Sequence, residues 1–223
     1  DLQAISPPLS ATHPFLNVKF PNSSYITGTV PLVGSQISAW TIHFTGGDLM
    51  PAYGGAGSGY VWPIRGSFNH PVVLGLRFVD NGDGTILDNL TGLTWMKNTT
   101  CFGYMHWDAA LSKVADLNSG NATCSGYSGT HMDWRLPNIL ELESLVDYNQ
   151  ENPPFPVSHP FEPYASGDIG NRSYWSSTTQ ALNLNAGTPS RRVARSLSTG
   201  GMSVLGANSK DGDLWVWPVR GGQ

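Results

Sequence analysis

Two hydrophobic rhythms alternate along this chain, and each predicts a different element. In Trp107-Asp-Ala-Ala-Leu-Ser-Lys-Val-Ala-Asp-Leu117, apolar residues fall at 107, 110, 111, 114 and 117, the spacing of one helix face, and Gly120 marks the expected stop. Ile139 to Val146 predicts a second helix, introduced by Trp134-Arg-Leu-Pro-Asn138. There Asn138 is placed as the N-cap, with Glu141 at the third position of a capping box. The strand rhythm dominates elsewhere. Arg77 to Asp88 reads as two short strands around a tight turn of Asn-Gly and Asp-Gly, and Thr91 to Met96 as a third carrying Leu93 and Trp95. Further strands are expected at Tyr174–Thr178, Val193–Leu197 and Leu214–Val219, with a Gly200-Gly201 turn between the last two. Ala39 to Phe44 alternates clearly, with Trp40, Ile42 and Phe44 on one face. A proline-rich loop fills 152–163. The order β-β-α-α-loop-β-β-β predicts a loop-rich α+β domain with small antiparallel sheets and two helices.

The pattern repeats itself. Asp1 to Phe15 is matched without a gap by Asp147 to Phe161, at a register of 146 residues. The echo resumes at Thr45-Gly-Gly47 against Thr199-Gly-Gly201 and ends at Val61-Trp-Pro-Ile-Arg-Gly66 against Val216-Trp-Pro-Val-Arg-Gly221. A period this long implies duplicated globular domains and not a solenoid of short units. Residues 77–223 are expected to form a complete domain, and residues 1–76 the C-terminal half of another. A unit of that smaller size is not expected to bury a core unaided, so self-association or another chain completing 1–76 is anticipated.

Composition narrows the setting. Only 13% of residues are charged, while Gly, Pro, Ser, Thr and Asn are plentiful, which is the profile of an ordered, loop-rich extracellular or surface protein. The net charge of −4 gives no basis for nucleic acid or an anionic membrane as partner. The first 76 residues are neutral, Asp1 and Asp48 balancing Lys19 and Arg65, so the acidity belongs to the second copy. No apolar run reaches the length of a membrane span. Cys101 and Cys124 both lie in asparagine-rich loop sequence. A disulfide between them would fit an oxidising compartment and add about 3 kcal/mol in the chain-entropy model.

Several segments occur together in order: Asn81-Gly-Asp-Gly-Thr85, Asp88-Asn-Leu-Thr-Gly-Leu-Thr-Trp95, Trp107-Asp-Ala-Ala-Leu111, Asp133-Trp-Arg-Leu-Pro-Asn138, Glu141-Leu-Glu-Ser-Leu-Val-Asp147, Tyr174-Trp-Ser-Ser-Thr178 and Val219-Arg-Gly-Gly222. In this combination the chain resembles the Lcl C-terminal domain family, the C-terminal domains of Legionella collagen-like proteins. The resemblance covers 81–222, and 1–76 shows only the family's second half. It implies a C-type-lectin-like fold, a bacterial cell-surface or secreted setting, and binding or adhesion to a glycan or surface protein. Family members linked to sulfated glycosaminoglycans set a requirement for clustered Arg and Lys. The one such cluster here is Arg191, Arg192 and Arg195, in an acidic domain.

Candidate chemistry is sparse. Arg191, Arg192 and Arg195, with Asn183, Asn185, Asn208, Lys210 and Asp211, fall in the late segments that differ most between the copies, and form the expected ligand-binding set. Asp80, Asp83 and Asp88 offer hard oxygens for calcium. The twelve-residue calcium-loop pattern fails, however, because it would put Val79 and Leu90 at liganding positions; a plain hairpin turn needs the same glycines. No cofactor is expected. Trp134 and Leu136 are expected to pack while Arg135 pairs with a carboxylate, and His13 and His159, both before Pro-Phe, to hold a structural loop. Asn22, Asn89, Asn98, Asn121 and Asn171 begin glycosylation sequons. The chain shows no Gly-x-Ser-x-Gly, phosphate loop or His-Glu-x-x-His, and the expectation is a non-enzymatic binding module. The alternative is a subunit of an extracellular filament or sheath, in which a neighbouring chain completes the half-repeat.

Overall fold

The computed structural model describes residues 24–27, 37–43, 48–53, 59–63, 76–147, 150, 154–156, 158–163, 172–179, 193–198 and 205–222. Chain order is β1 (Ser24–Ile26), β2 (Ile37–His43), β3 (Asp48–Tyr53), β4 (Phe78–Asp80), β5 (Thr85–Asp88), β6 (Leu93–Met96), β7 (Tyr104–Met105), α1 (Trp107–Asn118), α2 (Ile139–Ser144), β8 (Ser173–Thr179), β9 (Val193–Ser198), β10 (Leu205–Ser209), β11 (Leu214–Trp215) and β12 (Val219–Gly221). Three sheets result, with orders β1-β2-β3, β10-β9-β8-β11-β7 and β12-β6-β5-β4. The fold is α+β and loop-rich, as the pattern predicts. One of the three sheets departs from the expected antiparallel arrangement and is mixed. β11 runs parallel to β8, with Trp215 opposite Tyr174, while every other named strand pair is antiparallel.

The strand expected over Leu214–Val219 is two strands in two sheets. β11 closes on β7 and β8; the chain then passes through Pro218, which has no N–H for a ladder, and re-pairs as β12 against β6. Crossing between sheets this way sinks Trp217 into the centre. Its ring lies 5.1 Å from Trp95, 5.1 Å from Tyr174, 4.9 Å from Phe161 and 5.9 Å from Phe155, and its indole N–H donates to the Met96 carbonyl at 2.8 Å. Trp217, Trp95, Trp175 and Tyr174 are all fully buried. Tilted and edge-on ring geometry adds about 0.5–1.5 kcal/mol per pair beyond the area removed from water.

Both helices form where the periodicity places them. α1 buries Ala110, Val114 and Leu117 and leaves Leu111 partly outside; it ends before Gly120, whose φ of 77° reverses the chain. α2 begins with the anticipated capping box: Asn138 accepts from the Glu141 N–H, and the Glu141 carboxylate accepts from the Asn138 N–H. That carboxylate also takes both arms of Arg135 at 2.7 Å, so one residue serves the helix end and the ion pair. Trp134 and Leu136 are buried on either side. The Cys101–Cys124 disulfide ties the turn after β6 to the loop after α1. That loop presses on the β4–β5 turn, where Gly84 sits at φ 87°; a Cβ there would meet the Gly126 carbonyl oxygen at 2.2 Å, so no other residue fits.

The first segment builds a smaller version of the later sheet. β1, β2 and β3 pair antiparallel, and Tyr60 bridges parallel to Tyr25 as Trp215 does to Tyr174. Trp40 joins the same contiguous buried cluster as the core of the later residues. Phe44, His13 and the Gly200-Gly201 turn lie outside the described residues. No helix among those residues is long and apolar enough to cross a membrane.

Candidate ligand-binding site

The late-loop set anticipated from sequence is only partly placed. Asn183, Asn185, Arg191 and Arg192 lie outside the described residues, and Arg195 is described only as a strand position of β9, opposite Ala207. Asn208 donates to the Ser196 hydroxyl at 2.8 Å across the β9–β10 pair. Lys210 is buried: its ammonium donates to the Thr179 hydroxyl at 2.6 Å and sits 3.3 Å from the centroid of the Trp107 ring. A desolvated cation on an indole face contributes about 2 kcal/mol, which suits a clasp between β10 and the start of α1. Asp211 is exposed in the turn that follows.

The three aspartates considered for calcium have separate structural tasks. Asp88, fully buried, accepts from Arg77 Nε and Nη2 at 3.1 and 3.0 Å, from the Leu90 N–H and from the Thr91 hydroxyl. Asp83 accepts from the Thr85 N–H. Asp80 accepts from the Gly82 N–H and meets Lys97 at 3.0 Å; these two contacts, the backbone one foremost, hold its carboxyl below the usual range. Lys97 in turn is pushed up by Asp80 and Glu162. No group of three His, Cys, Asp or Glu side chains among the described residues could hold a metal ion.

Three clefts open on the described surface. One of about 320 Å³ borders the disulfide, lined by Tyr127, His131, Met132 and the end of α1. Its best polar groups are already used: the Tyr127 hydroxyl accepts from the His131 N–H and the Trp134 indole, and the Asn118 amide brackets the Trp134 backbone. A second, of about 190 Å³, holds Asp80, Lys97 and Glu162, whose charges are spent on one another. The third, of about 250 Å³, is lined by Tyr104, Ser173, Asp213, Leu214 and Trp215.

This third cleft follows directly from strand register. β7 is the outer strand of its sheet, and pairing Trp215 with Tyr104 sets the two rings side by side, centroids 5.3 Å apart. Tyr104 is 64% exposed and Trp215 half-buried, so ring surface faces solvent beside the Ser173 and Asp213 side chains. Asp213 precedes β11 and His106 follows β7; the antiparallel ladder therefore brings them together, Nδ1 to Oδ1 3.3 Å. Arg172 lies 5.9 Å from the Trp215 ring. Two indoles tie the cleft's floor together: Trp175 donates to the Met105 carbonyl and Trp107 to the Ser176 carbonyl, both at 2.8 Å. Aromatic surface beside a carboxylate, on a hydrogen-bonded strand pair, can stack on an apolar ligand face while the carboxylate accepts hydrogen bonds from its polar edge.

Sequence reasoning missed Tyr104, His106, Asp213 and Trp215. The two-residue strand β7 has no periodicity to detect, and Trp215 reads as one more core aromatic beside Trp217. The available signal was the Trp215-Val-Trp217 alternation, which puts the two indoles on related faces at a strand end.

Residues 84–220 match the Lcl C-terminal domain. The chain matches no curated protein and no solved structure.

Proposed function

Because the chain belongs to the Lcl C-terminal domain family, we propose that it is a non-enzymatic binding module of C-type-lectin-like fold that works at a bacterial surface or outside the cell. Its ligand is a glycan held in the Tyr104–Trp215 cleft. The observation that carries this reading is the pairing of exposed Tyr104 with half-buried Trp215 next to Asp213. Sugar rings present C–H faces that pack on aromatic surface and hydroxyls that a carboxylate accepts, and rigid aromatics supply contact area at low entropic cost. Asp213 offers the cleft a carboxylate that can accept from sugar hydroxyls, with the Arg172 guanidinium 5.9 Å from the Trp215 ring. The disulfide supports an oxidising compartment.

A glycan array with this chain, followed by titration of the best hit against Tyr104→Ala and Asp213→Asn, tests the reading. Both positions are exposed enough for the fold to persist. Each substitution should weaken binding by roughly tenfold, about 1.4 kcal/mol. Unchanged affinity in both variants would move the site elsewhere.

A further inference from the structure

The strand ladder that builds the Tyr104–Trp215 cleft also gives Asp213 a neighbour. β7 and β11 pair Met105 with Leu214 and Tyr104 with Trp215, so one further step of the register sets His106 opposite Asp213. Just beyond, a backbone bond from the Trp107 N–H to the Lys210 carbonyl ties the two segments together. Nδ1 of the imidazole lies 3.3 Å from Oδ1 of the carboxylate. The two side chains are 62% and 46% exposed, and among the described residues no other polar side chain meets the Asp213 carboxylate. His106 is also the N-cap of α1, at φ −59° and ψ 152°. Ser, Thr, Asp or Asn in that position turns an oxygen back onto the free N–H groups of the first turn. His106 makes no such bond, and its ring meets Asp213 instead.

An aspartate carboxylate turns about its last bond over a broad, two-fold range, so a free one presents its oxygens in many directions. A ligand hydroxyl that binds it must also immobilise it, and that weakens binding. A carboxylate only accepts, so the contact places a proton on His106 Nδ1, in the neutral ring and in the imidazolium alike. That proton faces Oδ1 and leaves Oδ2 for the cleft. Resting on the glycan reading above, we propose that His106 is a positioning residue of this site. It presets the Asp213 carboxylate beside the Tyr104 and Trp215 rings, so that a sugar hydroxyl meets an acceptor already in place. The imidazole acts through the carboxylate and does not touch the sugar. Its effect is modest by nature, because both groups stand largely in water.

The test titrates the whole chain with methyl glycosides of glucose, galactose, mannose and N-acetylglucosamine, followed by tryptophan fluorescence. His106→Phe keeps the bulk of the ring and removes the donor; it should weaken the best of these ligands by roughly threefold. His106→Gln, which keeps an N–H, should restore most of that loss. In an Asp213→Ala background, His106→Phe should change nothing further, because no carboxylate remains to be held. A structural role at the start of α1 would lower affinity in both backgrounds alike, so a loss that persists beside Asp213→Ala overturns the proposal. Parent-like affinity in His106→Phe overturns it too, provided that Tyr104→Ala and Asp213→Ala still weaken binding; in that case the glycan reading stands and only the role of His106 falls. Unchanged affinity in Tyr104→Ala and Asp213→Ala, or no binding of any glycoside, rejects the glycan reading and the present proposal with it. Thermal melts of each variant run alongside, and a midpoint equal to the parent's assigns any loss of affinity to the site and not to the fold.

Discussion

Trp217→Phe is the most informative single change for the core. The variant keeps a ring among Trp95, Tyr174, Phe155 and Phe161 but removes the indole N–H that the Met96 carbonyl accepts at 2.8 Å. Loss of a buried hydrogen bond, with its acceptor left behind, costs about 1–3 kcal/mol. The missing five-membered ring leaves a void whose lining cannot fully collapse, adding about 1–2 kcal/mol. The expected loss is therefore about 2–4 kcal/mol, or roughly 5–15 °C in thermal midpoint for a unit of this size. Trp62→Phe alters the matching residue of the earlier sheet, which is only half-buried, and should cost under about 1 kcal/mol. Urea unfolding followed by near-ultraviolet circular dichroism, with both variants run beside the parent, reads the difference. Equal losses at the two positions would refute the argument that burial, and not the shared Val-Trp-Pro motif, sets the contribution.

Asp88→Ala should destabilise by about 3–5 kcal/mol, because Arg77 loses its bidentate partner inside the fold. Millimolar calcium should leave the parent's midpoint unchanged in the same melts; a calcium-dependent rise abolished by Asp88→Ala would restore the cation reading of the turn. His159 is held below its ordinary value of 6.5 by burial, so the folded chain binds fewer protons than the unfolded one as pH falls below 6.5. Stability should therefore decline from pH 6.5 downward, and His159→Asn should flatten that part of the profile while retaining an acceptor for the Phe161 N–H. The decline tied to Asp80 and Asp133, both held low by hydrogen bonds, belongs below pH 3.8. A parent profile flat between pH 6.5 and 4.5 would dismiss the histidine account.

Much of the later unit is legible in the sequence because its signals are local. Trp107, Ala110, Val114 and Leu117 share a helix face whatever surrounds them, and Asn138 with Glu141 specifies a helix start by direct hydrogen bonds. Arg135 was expected to find a carboxylate, and the capping glutamate three residues into α2 proves to be that partner. What stayed hidden depends on long-range pairing. Leu214 to Val219 has a continuous strand pattern, and nothing in its composition says that Pro218 will hand it from one sheet to another. Lys210 reads as a surface cation because its sequence neighbours are polar; only the return of α1 places Trp107 beneath its ammonium. The Tyr104–Trp215 cleft is illegible for the same reason, since Gly103–Met105 and Asp213–Trp215 become neighbours solely through the fold.

The two Val-Trp-Pro segments separate what a motif determines from what its context determines. Both deliver a parallel bridge to a tyrosine and a tilted indole–phenol pair, so pairing and ring geometry belong to the motif and its adjoining strands. Burial belongs to what packs on top. Trp217 is covered by Trp95, whose ring lies 5.1 Å away, and by Met96, whose carbonyl accepts from its indole, while Tyr60 and Val61 beside Trp62 are exposed.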